Sequence, residues 1–238
     1  MNIDKIEISV VIPIYNEEKN IIPLYEELKK VLETMGKSYE IIFVDDGSVD
    51  GSLKFLQQIN KDSAVKILKM KRNYGQSAAL DAGFKSSRGE SIISIDGDLQ
   101  NDPRDIPRLL EGLKGCDVVC GWRKIRCDPL SKRISSRIAN FIRRAVLKDK
   151  IIDIGCTLRA YRRVALEKIR LYNGLHRFIP ILIEMEGLSV KQIEVGHRMR
   201  FAGKSKYNLR KRLIKPLVDL LAVYWIKKNI LRYETEVK

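Results

Sequence analysis

The chain has 238 residues, enough for one α/β domain with a full core, and with 45% hydrophobic residues disorder is not expected. The net charge of +15 is lopsided: residues 1–121 carry 16 Lys/Arg against 20 Asp/Glu, and residues 122–238 carry 29 against 10. No basic segment leads into an apolar stretch at the N-terminus and no eighteen-residue apolar run occurs, so neither a secretion signal nor a spanning helix is expected.

Strand signals fall at Ile8 to Ile14, Glu40 to Asp45, Val65 to Met70, Ser91 to Asp96 and Asp117 to Gly121, with helical patterns between them at Glu18 to Met35, Gly51 to Asn60, Gln76 to Ser86 and Ile106 to Leu113. Short apolar strands alternating with helices predict a mostly parallel, twisted sheet covered on both faces. Ligands in such sheets bind beyond the carboxyl ends of the strands. The second half predicts a helix from Pro129 to Leu147, a strand in TLRAY, helices near Arg163 to Leu171 and His176 to Gly187, a strand from Val190 and a last helix from Leu209. Residues 1–207 read as one domain, and 208–238 as an amphipathic, membrane-interfacial segment. LIKPLVDLLAVYWI, from Leu213 to Ile226, is interrupted by Lys215, Pro216 and Asp219, which suits lying on a membrane better than crossing it.

The strand ends carry the chemistry. PIYNE (Pro13 to Glu17) closes the first strand without the glycines of a phosphate-cradling turn; Pro13, Tyr15 and Glu17 offer a rigid edge, an aromatic face and an acceptor, and Asn16 reads as a helix cap. In VDDGSVDGS, Asp45 stands where a carboxylate meets a base or ribose, Gly47 suits a left-handed turn, and Asp46 and Asp50 read as structural. ISIDGDLQNDP places Asp96, Asp98 and Asp102 within seven residues. Two carboxylates about 5 Å apart repel by about 3 kcal/mol at an effective dielectric of about 20, so folding alone does not favour this arrangement. Asp96 and Asp98, on the same side of an extended backbone, and Gln100 supply oxygen ligands without His or Cys, which suits Mg²⁺ or Mn²⁺ held partly by substrate phosphates. Asp102, before Pro103, reads as a helix starter.

The helix from Pro129 sets Leu130, Ile134, Ile138, Phe141, Ile142 and Ala145 along one stripe, with basic residues mostly elsewhere; whether the stripe packs inward or lies on an anionic leaflet stays open. The four cysteines fit no common zinc spacing and read as buried, reduced thiols, which suits a cytosolic setting. The two histidines, His176 and His197, belong to no motif, although His176 falls near the second half of the site.

Taken in order and spacing, PIYNE, VDDGSVDGS, IDGDLQNDP, GWR, GCTLRAYRR and RFAGKSKYN resemble the family 2 glycosyltransferases of GT-A fold, and most closely the dolichyl-phosphate mannose synthases and their bacterial polyprenyl-phosphate relatives. The resemblance implies a GT-A sheet followed by amphipathic C-terminal helices. It implies that Pro13, Tyr15, Glu17, Asp45, Asp96, Gly97 and Asp98 bind a GDP- or UDP-hexose and that Asp98 and Gln100 hold the metal. Arg200 and Lys206, in a loop with Gly203 and Ser205, would close over the donor diphosphate. Arg123, Lys132, Arg133 and Ser136 would receive the phosphate of a polyprenyl or dolichyl acceptor. Asp98, Arg123, Arg200 and Lys206 are the expected catalytic residues.

The implied reaction is inverting transfer of a mannose- or glucose-type hexose, at the cytoplasmic face of a membrane, by a protein attached peripherally or through a membrane-anchoring partner. A phosphate monoester is largely dianionic at pH 7 and needs no base. The acidic pair expected where a hydroxyl must be activated is replaced by Gly174-Leu175-His176-Arg177. Two other readings stand beside this one: a transferase acting on a saccharide or protein, with Asp153 as the spare base, and a basic nucleic-acid-binding protein, for which no recognition motif is present.

Overall fold

The structure, a computed structural model, describes residues 5–125, 127, 130–199, 201 and 209–231. Its strands are β1 (Ile8–Ile14), β2 (Tyr39–Asp45), β3 (Val65–Lys69), β4 (Ser91–Ser94), β5 (Val118–Trp122), β6 (Arg159–Arg162) and β7 (Val190–Glu194). The helices are α1 (Ile21–Thr34), α2 (Ser52–Ile59), α3 (Gln76–Ser86), α4 (Ile106–Leu113), α5 (Leu130–Leu147), α6 (Arg163–Glu167), α7 (Ile179–Met185) and α8 (Leu209–Asn229). One seven-stranded sheet runs β3-β2-β1-β4-β6-β5-β7. All strands are parallel except β6, which is inserted antiparallel between β4 and β5.

The apolar run ISVVIPI becomes a central strand because both of its faces are covered. Val10, Ile12 and Ile14 pack with Leu24, Leu28 and Leu32 of α1, while Val11 packs on the other face with Ala79, Leu80 and Phe84 of α3. The α1 residues recur at the three- and four-residue spacing that makes one stripe of a helix. Strands β1 and β2 pair in register, so Ile14 lies beside Asp45, and β4 pairs with β1 from Ile8↔Ser91 to Val11↔Ser94. The chain therefore leaves β1, β2 and β4 on one edge, carrying Tyr15, Asp46 and Asp96 out of the sheet together.

A third core joins the C-terminal elements: Leu147, Leu175, Phe178, Leu182, Leu220 and Val223 bring α5, a 3₁₀ turn (Leu175–Phe178), α7 and α8 into contact. On α5 the pattern is inverted. Ile134, Ile138, Phe141 and Ile142 face solvent, Phe141 at 68% exposure, whereas Arg143 is 3% exposed, paired with Asp149 at 3.3 Å and donating to the Ile151 carbonyl. The helix turns Ser136, Asn140, Arg143 and Leu147 inward and leaves most of its other hydrocarbon outward, beside exposed Arg137 and Arg144. Helix α8 does similarly on one side: Leu220 and Val223 are buried, but Leu217, Val218, Leu221, Tyr224 and Trp225 are exposed. It runs through Pro216 without ending there, and among the described residues no helix is long and apolar enough to cross a membrane.

Candidate active site

The first edge is built from β1 and β2. Asn16 takes a left-handed backbone (φ 53°), its side-chain oxygen accepts from Val49 N–H at 2.8 Å, and its own N–H donates to the Ser48 hydroxyl at 2.9 Å. It is a turn residue that ties PIYNE to VDDGSVD, not the helix cap expected from its residue type. Glu17 is held by a backbone bond to the Ser52 hydroxyl, and Pro13 and Tyr15 are half-buried beside it. Gly47 has the left-handed φ of 69° and Asp50 accepts from Ser52 N–H at 2.9 Å, both as expected.

Asp45 and Asp46 diverge although adjacent. Asp46 is structural: its two oxygens accept from Tyr74 N–H at 2.7 Å and Gly75 N–H at 2.8 Å. Asp45 is 1% exposed, with Oδ1 accepting from Ser48 N–H at 3.0 Å and Oδ2 buried without a hydrogen-bond partner. A buried acceptor left unpaired is costly unless a ligand completes it.

The second edge follows β4. Asp96 receives the Gln76 side-chain amide at 2.8 Å, and the Thr157 hydroxyl donates to Asn101 Oδ1 at 3.3 Å. Burial and then the Asp98 charge push its carboxyl well above the usual carboxylate range, against Thr157 and the charges of Arg123 and Arg159. Gly97 leaves room that any side chain would take: a Cβ there would stand 2.5 Å from Ile14 Cδ1 and 3.3 Å from the Pro13 carbonyl. Asp98 is buried and accepts from Gln100 N–H at 3.2 Å, across a turn in which Leu99 is forced to φ 60°. A left-handed Leu costs about 1 kcal/mol or more, strain of the kind that collects at functional sites. Asp102 starts the 3₁₀ turn Pro103–Asp105 as expected, accepting from Arg104 N–H at 3.0 Å, and also pairs with Arg198 at 2.6 Å.

The donor set fits a hard cation. Among the described residues no group of three or more His, Cys, Asp or Glu side chains could hold a metal ion unaided. Asp98, with Asp96 two residues before it and the Gln100 amide two residues after it, is an incomplete set of oxygen ligands that substrate phosphates would have to complete. The Gln100 amide nitrogen lies 3.5 Å from both His197 Nε2 and the Arg198 carbonyl. His197 Nδ1 accepts from Cys127 N–H at 3.1 Å, which ties the chain after β5 to the chain after β7 beside Gln100.

The third edge follows β5. Arg123 grips Asp153 with Nε–Oδ2 at 2.7 Å and Nη2–Oδ1 at 3.0 Å, both side chains largely buried. Behind them Arg159 is 2% exposed and donates to the carbonyls of Ile154, Cys156, His176 and Arg177, stitching the 153–156 loop to the 3₁₀ turn. His176 is buried against Ser77, with Nδ1 and the hydroxyl at 2.8 Å. Ser136 is half-buried on α5. The side chains of Lys132 and Arg133, and Arg200, Gly203, Ser205 and Lys206 altogether, lie outside the described residues. Three cysteines are buried free thiols as expected, but Cys127 is exposed.

The edges thus bring Asp45, Asp96, Gly97, Asp98, Gln100 and Arg123 into one region with Pro13, Tyr15 and Glu17 at its rim. Residue patterns missed Gln76, Thr157 and Arg159. The first two are ordinary polar residues whose partner is distant in sequence; Arg159 sits inside a strand signal, where only its burial marks it.

Residues 9–170 match the family described as glycosyl transferase family 2. Over 233 residues the chain is 35% identical to a dodecaprenyl-phosphate galacturonate synthase of Rhizobium johnstonii, covering 95% of this chain and 69% of that protein. It is 38% identical over 218 residues to an undecaprenyl-phosphate 4-deoxy-4-formamido-L-arabinose transferase of Aeromonas hydrophila, covering 90% and 66%, and 41% identical over 217 residues to the enzyme of that name in Pseudomonas paraeruginosa, covering 90% and 64%. The chain spans about two thirds of the length of these curated relatives. In structure it is similar to glucosyl-3-phosphoglycerate synthase from Mycobacterium tuberculosis, solved with Mn²⁺, UDP and phosphoglyceric acid: TM-score 0.74, 18% identity, 95% of this chain and 80% of that one. The fold is the GT-A fold. The chain belongs to glycosyl transferase family 2 and is a glycosyltransferase.

Proposed function

We propose that the chain transfers a sugar from a nucleotide sugar to a polyprenyl phosphate, with inversion at the anomeric carbon and with Mg²⁺ or Mn²⁺. The observation that carries the lipid acceptor is α5, which leaves Ile134, Ile138 and Phe141 in solvent beside Arg137 and Arg144 while Ser136, Asn140 and Arg143 turn toward the domain. The names of the relatives, polyprenyl-phosphate transferases of galacturonate and formamidoarabinose, support the acceptor and leave the sugar open. They support a polyprenyl-phosphate sugar transferase without singling out a dolichyl-phosphate mannose synthase.

Asp45, through its unpartnered Oδ2, and Asp96 would receive the nucleoside, with Tyr15 and Glu17 at the rim and Gly97 giving the donor close approach. Asp98 and Gln100 would hold the cation, which supplies neutralisation of diphosphate charge. Arg123, fixed by Asp153, would meet the acceptor phosphate with Lys132, Arg133 and Ser136, and Arg200 and Lys206 would offset charge on the departing diphosphate. Asp153 is a poor base for a hydroxyl acceptor, because both its oxygens accept from one guanidinium. That favours a phosphate acceptor over a saccharide or protein. The proposed setting is peripheral, at the cytoplasmic face of a membrane, through the apolar faces of α5 and α8 or an anchoring partner.

The test incubates the protein with radiolabelled UDP- and GDP-sugars, undecaprenyl phosphate and Mg²⁺ or Mn²⁺, followed by organic extraction. Label in the organic phase, lost without the metal and in Asp98→Ala, is expected; aqueous label with every donor tried would end the proposal.

A further inference from the structure

We propose that Gln76 is a positioning residue of the donor site, its amide holding the Asp96 carboxylate in the orientation that receives the nucleotide. The inference rests on the donor-binding role proposed above for Asp96, and it adds a residue that no motif singled out.

Gln76 is the first residue of α3, and its Nε2 donates to Asp96 Oδ1 at 2.8 Å. Its own position is fixed from both sides. Before it, Asp46 takes the N–H groups of Tyr74 and Gly75, and Gly75 adopts φ 91° and ψ 160°, a backbone open in practice to glycine alone. After it, the Ser77 hydroxyl receives Gly174 N–H at 3.0 Å and bonds His176 Nδ1 at 2.8 Å. The start of α3 is therefore clamped between the β2 edge and the 3₁₀ turn, and Gln76 extends from that clamp to the β4 edge.

The residue type matters. Asp96 stands two residues from a second carboxylate, Asp98. A neutral donor orients it without adding charge, whereas a glutamate at position 76 would set a like charge at hydrogen-bond distance. The residue also couples the two acid edges: the loop that fixes Asp46, next to Asp45, is continuous with the helix that fixes Asp96. Gln76 touches Asp96 and acts on the donor through it.

The experiment measures binding of UDP and of GDP in the presence of Mn²⁺ by calorimetry, for the wild type, Gln76→Ala, Gln76→Glu, Asp96→Ala and the double variant Gln76→Ala/Asp96→Ala. Gln76→Ala should weaken the bound nucleotide about 10-fold, the scale of one lost hydrogen bond to a charged group, and Gln76→Glu more. In turnover the same factor should fall on the donor KM, with kcat held within about twofold, as for an interaction equally strong before and during reaction. In the Asp96→Ala background the Gln76→Ala change should have no further effect, because its partner is gone. A Gln76→Ala variant that binds like the wild type, or a loss that persists undiminished without Asp96, overturns the inference while nucleotide binding by the wild type leaves the proposed function standing. A wild type that binds neither nucleotide overturns both.

Discussion

Replacing Asp153 by alanine tests whether the pair behind the third edge is a structural fixture as well as a functional one. The substitution removes two charge-assisted hydrogen bonds to Arg123, at 2.7 and 3.0 Å, and the acceptor for Gly155 N–H at 3.1 Å. The Arg123 side chain is 12% exposed and that of Asp153 7%, so the abandoned guanidinium is only slightly rehydrated. Removing one partner of a buried pair costs about 3–5 kcal/mol, and the residual exposure places this one near the lower end, about 3 kcal/mol. At about 2–4 °C per kcal/mol for a chain of this size, the melting temperature should fall by about 6–12 °C. Thermal unfolding followed by circular dichroism, with urea unfolding alongside, reads both numbers. The companion variant Arg123→Met/Asp153→Leu should recover part of the stability, since apolar replacements of buried pairs are often neutral while Gly155 N–H still lacks its acceptor, yet should transfer no sugar. A shift of less than about 2 °C in Asp153→Ala, or a double variant no more stable than the single, would refute the assignment of a buried, mutually dependent pair.

Three further outcomes follow from the geometry. Gly97→Ala should cost about 1–2 kcal/mol in urea unfolding, because its Cβ would meet Ile14 Cδ1 at 2.5 Å in a packed core, and Ile14→Val in the same chain should recover part of it; equal stability of Gly97→Ala and wild type would show that Ile14 has room to turn. Phe141→Glu and Trp225→Glu, both at exposed positions, should leave stability within about 0.5 kcal/mol while abolishing co-flotation with phosphatidylglycerol vesicles, and flotation equal to wild type would remove α5 and α8 as the lipid-facing surface. Asp62 accepts from Lys29 Nζ and Tyr25 OH, both at 2.7 Å, and Lys29 first among its partners holds its carboxyl down to about 2 from an ordinary 3.8. A depressed carboxyl stabilises the fold above the unfolded value and loses that contribution as pH falls through the folded one. Asp62→Asn should therefore be about 1 kcal/mol less stable than wild type at pH 7, allowing for solvent screening, with the gap closing between pH 4 and pH 2; a gap constant with pH would contradict the pairing.

What the sequence made legible divides along physical lines. The β1 apolar run and the Gln76–Ser86 and Ile106–Leu113 helices matched residue for residue, because a strand buried on both faces and an amphipathic helix are written in local periodicity. The direction of β6 was not legible: TLRAY reads as a strand in either sense, and its partners Ile92, Ile93, Val118 and Val119 lie far away in the chain. Nor was the orientation of α5, since periodicity yields a stripe without saying which side the protein covers. At the site, glycine and acid positions stood out because their residue types are conspicuous there. The division of labour between Asp45 and Asp46 was partly readable, but Asn16 was misassigned because a left-handed turn and a helix cap favour the same residue. Gln76 carries no signal, being legible only once its amide lies 2.8 Å from Asp96.

The antiparallel β6 has a bearing on how the chain is made. Strands β1 to β4, within residues 8–94, pair only with one another on one side, and β5 touches β4 through no direct ladder. The sheet is closed by the four residues Arg159–Arg162, which bond to Ser91–Ser94 on one flank and Val118–Cys120 on the other. During synthesis strands β1 to β4 can therefore assemble while the rest is still emerging, and β4 holds an open edge until residue 162 has left the ribosome. Through that interval an exposed row of backbone donors and acceptors waits beside Ile92 and Ile93, and the chain is most open to intermolecular pairing there. Truncation before residue 159 would make that interval permanent.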